Sequence, residues 1–522
     1  MGRRFRHNSR LMSTHRNLFN SALARTGFTV VYAVIAFFFM PFLVAHLGER
    51  WYGIWVLVAG IAANSYLLDI GMTTAVMRFV ARYLAANDKE GANRVISTCL
   101  VIYTALAVVV FLVMAIVSIF AHKFVSDPKD LHIIRATILL IGLQYAAEFP
   151  FKAFAGIISS YVRYDLLMLS RLLNVALSTG LMVYFVGHGY GILSMAIIVT
   201  LVDQITNYLY YRIAKHLFPE LSVKRRFVTP SLVKEMFSYS SWSFVIQIAS
   251  QLRFRTDSLV IGAVLGASPV TFYAVGLRLV EYLVEFVNRA TNMLTPVFTR
   301  YFYEGNFVEM RAKFMFVTRI NAVLGLFGGG MLVILGGAFI TRWMGPEFQR
   351  SYPVLVVLTT AMIVELIGIH ADNVLYAISK HKYLAYINVV EAVLNVSLSI
   401  VFAHLWGIIG VAVGTALPLL FFRLFVIPQL VCRNIELSVW TYYRSLVPVT
   451  AYTLAYLALC NYLVQPFLAD NTYAAIVLAG IACAPIYAIT IPYVAFSAEE
   501  RAQLQRALPI RMQRFTAPLL GR

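Results

Sequence analysis

Residues 18–47 read LFNSALARTGFTVVYAVIAFFFMPFLVAHL, and Arg25 is the only Lys, Arg, Asp or Glu among them. At a rise of about 1.5 Å per residue, this stretch exceeds the roughly 30 Å of hydrocarbon in a bilayer. It is longer than the apolar core of a secretory signal and lacks a small-residue cleavage site, so it reads as a first membrane-spanning helix over 18–46. The same length criterion places further spans at 52–78, 94–121, 133–159, 166–187, 191–213, 235–265, 270–298, 313–340, 353–378, 384–404, 407–431, 440–464 and 472–496. The expectation is an all-α membrane protein with about fourteen transmembrane helices.

Composition agrees. Of 522 residues, 60% are hydrophobic and 13% charged, with a mean hydropathy of +0.76. Soluble domains carry roughly 25% charged residues. Half that charge leaves too little polar surface to cover a water-soluble globule of this length. The net charge of +19 does not indicate a nucleic-acid partner, because the basic residues sit in short loops between apolar segments and not on a soluble module. Cys99, Cys432, Cys460 and Cys483 form no CxxC pair and lie in or beside apolar segments, so they read as small buried hydrophobes.

The loops fix an expected topology. Arg3, Arg4, Arg6, Arg10 and Arg16 precede the first span. Lys or Arg recur in every second connection: Arg82 and Lys89; Arg163; Lys224, Arg225 and Arg226; Arg300 and Arg311; Lys380 and Lys382; Arg433. Most of the alternate connections have few or none. The positive-inside rule then puts both termini in the cytoplasm. The expected layout is a basic tail at 1–17, an N-lobe at 18–215, a basic cytoplasmic linker at 216–234, a C-lobe at 235–433, two last helices within 434–497, and a cytoplasmic tail at 498–522.

The chain also repeats itself. Leu47-Gly48 matches Leu265-Gly266, and Arg82-Tyr83 matches Arg300-Tyr301. Glu148 falls near the position of Glu365, residues 174–178 (NVALS) match 395–399 (NVSLS), and Gly191-Ile192 matches Gly407-Ile408. Order and spacing persist across six spans, which predicts two parallel-related six-helix lobes. Parallel repeats of this kind place a substrate between the halves, which rock to expose it to each side in turn.

The run Pro41-Phe42-Leu43-Val44-Ala45-His46-Leu47-Gly48, then Tyr52-Gly53-Ile54-Trp55, Leu68-Asp69-Ile70-Gly71, Arg78 and Arg82, resembles the start of the polysaccharide exporters. These are the O-antigen and lipid-linked-oligosaccharide flippases of the multidrug/oligosaccharidyl-lipid/polysaccharide superfamily. Arg255-Thr256-Asp257-Ser258-Leu259-Val260-Ile261-Gly262 and Leu265-Gly266 fit the same pattern in the second half. The resemblance implies two six-helix lobes around a central cavity, a bacterial inner-membrane location, and a polyprenyl-pyrophosphate-linked saccharide as substrate. It implies a polysaccharide polymerase and glycosyltransferases as neighbours in the same process. The related lipid II flippases use cavity arginines on early helices of both lobes, for which Arg25, Arg255 and Arg278 are the nearest counterparts here.

Ionisable groups inside spans are functional candidates. Arg278, Glu281, Glu285, Asn288, Arg289 and Asn292 recur at three- and four-residue steps and so share one helical face. That face reads either as a cavity lining or as a structural ion-pair ladder. Arg253, Arg255 and Asp257 lie in mid-segment; Arg25 either faces a cavity or snorkels to the interface. Candidate substrate-binding residues are thus Arg25, Arg253, Arg255, Arg278, Arg289, Asn288 and Asn292. Guanidinium groups suit a pyrophosphate, because they stay charged when dehydrated and bind its oxygens bidentately. Glu281, Glu285, Asp257, Glu148 and Glu365 are candidates for ion coupling, with ion pairing as their alternative role. Asp203 and Arg423, in the sixth and twelfth spans, read as braces of the lobes. No metal set, phosphate-binding loop, HExxH or G-x-S-x-G stands in the sequence, so no cofactor is expected. Two other readings remain: an antiporter of drugs or cations from the same superfamily, and a saccharide polymerase or ligase.

Overall fold

A computed structural model describes residues 2–64, 69, 72–123, 128–236, 256–291, 295–468 and 472–507. Among them are sixteen α-helices and no strand. In chain order they are α1 (Gly2–Asn64), α2 (Met72–Ala85), α3 (Lys89–Ile119), α4 (Pro128–Ser160), α5 (Tyr164–Gly187), α6 (Ile192–Leu217), α7 (Asp257–Val264) and α8 (Ala267–Thr291). They continue with α9 (Thr295–Tyr303), α10 (Phe307–Met344), α11 (Tyr352–Ala377), α12 (His381–Phe421), α13 (Ile427–Asn434), α14 (Val439–Val464), α15 (Tyr473–Ala495) and α16 (Ala498–Ala507). Ten apolar helical runs among the described residues are long enough to cross a bilayer. The chain is a multi-pass, all-α membrane protein.

The count of runs differs from the count of spans for a local reason. Two helices abut within α1 at Gly48, which has φ 78° and ψ 163°. Gly407 interrupts α12 in the same way, with φ 60° and ψ −138°. A positive φ costs glycine little, so each residue lets one helix follow another directly at a kink. Gly48 and Gly266, paired by the sequence repeat, share the left-handed conformation, with φ 78° and 94°. The span expected at 52–78 is divided: α1 ends at Asn64 and α2 begins at Met72. The span expected at 235–265 lies mostly outside the described residues, apart from 235–236 and 256–265.

The chain forms two compact units, Met1–Thr271 and Phe272–Arg522. In the first, Val76, Phe79, Val95, Ile96, Cys99, Tyr103, Phe149 and Ile157 belong to one core cluster. Asp69 accepts from the Thr73 hydroxyl (3.1 Å) at the start of α2, and that hydroxyl lies 3.0 Å from the Tyr103 hydroxyl on α3. Asp88 caps α3 by accepting from the Gly91 amide at 2.7 Å. In the second unit, α10 runs through Gly328-Gly329-Gly330. A Cβ on Gly329 would collide with Ile363, and one on Gly330 with Leu457. The triplet therefore serves close helix packing in that unit.

Candidate functional site

A cavity of about 370 Å³ opens inside the first unit between α2, α4, α5 and α6. Helix α4 contributes Glu148 and Lys152 to its lining, α5 Arg171 and Asn174, and α6 Asp203 and Asn207. Glu148 and Lys152 sit one helical turn apart and share a face. Lys152 is buried, with its ammonium 4.2 Å from the Phe149 ring centroid, a cation–π contact that supports a charge with little access to water. Arg171 is exposed, and Glu148 and Asp203 are half-buried. Lys152, Asp203 and Arg171 are the chief charged neighbours of Glu148.

Asp203 is held from two sides. The Asn174 side-chain amide donates to its Oδ1 at 2.6 Å and to the Thr206 hydroxyl at 2.9 Å, and Gln144 donates to its Oδ2. These bonds tie α4, α5 and α6 together around a carboxylate. Two carboxylates and two cations thus face a small polar space in the middle of apolar helices. A proton, a small ion or a polar headgroup could each change the pairing among them.

The second unit contains a cluster of a different kind. Arg423 follows α12 in a π-helical turn, Phe422–Val426. Its side chain is 1% exposed. Its Nε lies 2.5 Å from a carboxylate oxygen of Glu365, and its two terminal nitrogens donate to Asp372 at 2.8 and 3.2 Å. Glu391 on α12, also buried, is a third charged neighbour. Beside them, Asn321 on α10 donates to the Leu366 carbonyl at 2.8 Å, with its amide nitrogen 2.8 Å from His370 Nε2. The wide π-turn aims the guanidinium at two α11 carboxylates a turn or more apart, an irregularity common at functional positions.

The stripe on α8 is described in part. Arg278 donates to Glu281 at 2.8 Å, with 41% and 49% of the two side chains exposed. Glu285 is exposed as well, and Asn288 has a buried Oδ1 without a hydrogen-bond partner. The stripe therefore contains an ion pair on an open surface of its unit. Asp257 is buried in the first turn of α7, where a helix N-terminus favours a carboxylate. Arg253, Arg255 and Asn292 lie outside the described residues. Arg25 and Arg289 lie on described helices, with their side chains outside the description.

Of the residues singled out in sequence, Glu148 and Asp203 line the cavity, and Glu365 and Arg423 meet in the second unit's cluster. The sequence places Lys152 one turn from Glu148. Nothing in its local pattern brings Arg171, Asp203, Gln144 and Asn174 to the same place. The one available signal is Asn174, which begins the NVALS segment of the repeat.

A model of the family described as "Polysaccharide biosynthesis protein" matches residues 19–302. The chain belongs to this family. A relative in Bacillus subtilis (strain 168), the "Uncharacterized membrane protein EpsK", is 23% identical over 474 residues, covering 88% of this chain and 92% of that one. The "Putative O-antigen transporter" of Shigella flexneri is 20% identical over 392 residues, covering 72% of this chain and 88% of that one. Among solved structures, the lipid II flippase MurJ in an inward closed conformation matches with a TM-score of 0.66 and 14% identity, over 89% of this chain and 99% of that one. The fold is thus one that the lipid II flippase also has, and the chain is a multi-pass membrane protein of the polysaccharide biosynthesis family.

Proposed function

We propose that this member of the polysaccharide family moves a polyprenyl-pyrophosphate-linked oligosaccharide, an O-antigen or another polysaccharide repeat unit, from the cytoplasmic to the outer leaflet of the bacterial inner membrane. The movement is alternating access, driven by an ion gradient or the membrane potential. Both termini face the cytoplasm, and a polymerase and glycosyltransferases act on the same saccharide. The observation that carries this reading is the polar cavity around Glu148, Lys152, Arg171 and Asp203 in a polysaccharide-family chain. Ionisable side chains inside a membrane domain are costly and are retained where an ion or substrate passes. We assign Glu148 to the coupling proton, because it stands between two cations whose freedom changes when its charge is removed. Arg278 on the open face of α8 is assigned to the anionic headgroup.

The test is reconstitution of purified protein in liposomes with a fluorescent polyprenyl-pyrophosphate saccharide. Movement between leaflets is expected, faster under an imposed pH gradient. Glu148→Gln is expected to abolish the gradient-driven part, and Arg278→Ala to slow movement with or without a gradient. Absence of leaflet exchange by the wild-type protein would falsify the flippase reading. Exchange that ignores the gradient in both proteins removes Glu148 from the coupling role.

A further inference from the structure

The segment after α6 does not hang free. Asn93 on α3 donates to the Glu220 carbonyl and accepts from the Ser222 amide, both at 2.9 Å. The Ser97 hydroxyl, one turn further along α3, accepts from the Lys224 amide at 3.3 Å. Lys215 at the end of α6 donates to the carbonyls of Pro219 (2.9 Å) and Leu221 (2.7 Å). Phe218 and Phe227 are buried at either end of the segment. It thus forms a fixed ledge, and Val223, Lys224, Arg225 and Arg226 on it are exposed. Acidic groups in this region have other partners: Glu220 pairs with Lys89, Glu235 with Arg82 and Asp88 with Arg94. Among the described residues, Lys224, Arg225 and Arg226 make no ion pair.

Depth is set by α3 itself. Its large exposed apolar residues begin at Val101 and continue through Val108, Leu112 and Ile116 to Ile119. That belt is about 27 Å long at the α-helical rise, close to the hydrocarbon thickness. Ser97 stands one turn beyond its edge, so the Lys224 backbone lies at the level of lipid phosphates. Helix α6 agrees. Its exposed apolar belt ends near Tyr208, whose hydroxyl accepts from Arg212 at 3.1 Å, an aromatic–basic pair typical of the interface.

We propose that the Lys224-Arg225-Arg226 ledge binds the headgroup of an anionic glycerophospholipid in the leaflet it faces. Two guanidinium groups and one ammonium are held at phosphate height, and exposed Val223 sits beside them to meet the upper acyl region. Guanidinium groups bind phosphate oxygens bidentately, and three clustered positive charges favour a headgroup of net negative charge over a zwitterionic one, whose own ammonium offsets its phosphate. The inference does not depend on which saccharide the protein moves.

The full-length protein in detergent micelles, titrated separately with phosphatidylglycerol, phosphatidylcholine or a polyprenyl pyrophosphate and followed by native mass spectrometry, tests it. Wild type is expected to retain phosphatidylglycerol and not phosphatidylcholine. K224Q/R225Q/R226Q is expected to weaken retention by about 100-fold, at roughly fivefold per charge. A matched triple on the second unit, K380Q/K382Q/R433Q, is expected to leave it unchanged. R225Q alone, with roughly a fivefold effect, serves if the triple variant does not fold. N93A/S97A unties the ledge without removing charge and is expected to weaken binding severalfold. The proposal is overturned if the ledge triple binds phosphatidylglycerol like wild type, or if the matched triple loses as much. It is also overturned if the untied ledge binds as well as the fixed one, or if the site takes a polyprenyl pyrophosphate and refuses phosphatidylglycerol.

Discussion

Glu148 and Glu365 occupy related places in the two halves of the sequence, and the structure treats them differently. In the first unit Glu148 borders an open polar cavity. In the second, Glu365 is in contact with a guanidinium that has 1% of its side chain exposed. The register that pairs Gly191 with Gly407 sets Asn207 opposite Arg423. Asn207 is short and lines the cavity. Arg423 is long, and it stands between two carboxylates, ion-paired with Glu365 and Asp372. Positions that the sequence repeat pairs thus carry a cavity-lining amide in one unit and a buried, paired guanidinium in the other.

Four measurements would break or sharpen this comparison. The largest effect is expected from Arg423→Met, which leaves Glu365 and Asp372 without their shared cation inside the second unit. Breaking a buried pair in this way costs about 3–5 kcal/mol, read as a fall in the midpoint of unfolding in detergent. A midpoint unchanged by the substitution would mean that Arg423 is not the brace. Asp203→Asn comes next. It keeps the shape but removes the charge that Gln144 and Asn174 bond, and about 1.5–3 kcal/mol of stability goes with it. An equal loss from Asn174→Ala in the Asp203→Asn background would show that the bonds act independently and not as one knot.

Asn207→Arg carries the second unit's solution into the first. The added guanidinium is expected to settle between Glu148 and Asp203, closing the cavity and stopping transport. Stability should change by less than about 1 kcal/mol, because the new charge arrives with partners. Transport at the wild-type rate by this variant would contradict the assignment of the cavity as the working site. The smallest effect concerns Glu220, at the surface beside the basic ledge. Its hydrogen bond from Lys89 holds its carboxyl below the usual carboxylate range. A lowered folded-state value gives stability that is present above the unfolded value of about 4.3. That stability is lost as pH falls through the folded value. Glu220→Gln should flatten this acid-side slope slightly, measured as the midpoint of unfolding between neutral and acid pH.

The stripe on α8 and the cluster around Arg423 show how far helical periodicity reaches. Arg278 and Glu281 are three residues apart, so their shared face and their bond are legible from spacing alone. Glu365 and Asp372 share α11, seven residues apart, but Arg423 comes from the turn after α12, and no local pattern announces its meeting with them. The breaks at Gly48 and Gly407 are intermediate. Each glycine is visible in the sequence, yet only the backbone angles show that one helix ends and the next begins there.

By itself the sequence determined a membrane domain of many α-helices, because apolar runs of bilayer length satisfy their backbone only as helices in hydrocarbon. It also determined which charges lie within those runs and which share a helical face, since both follow from counting residues. Only the tertiary structure decided which charges meet. Asn174, Asp203 and Gln144 are brought together by helix packing over many residues of intervening chain, and so are Arg423 and Asp372. Packing depends on the shapes of whole faces, which no residue count along one helix contains.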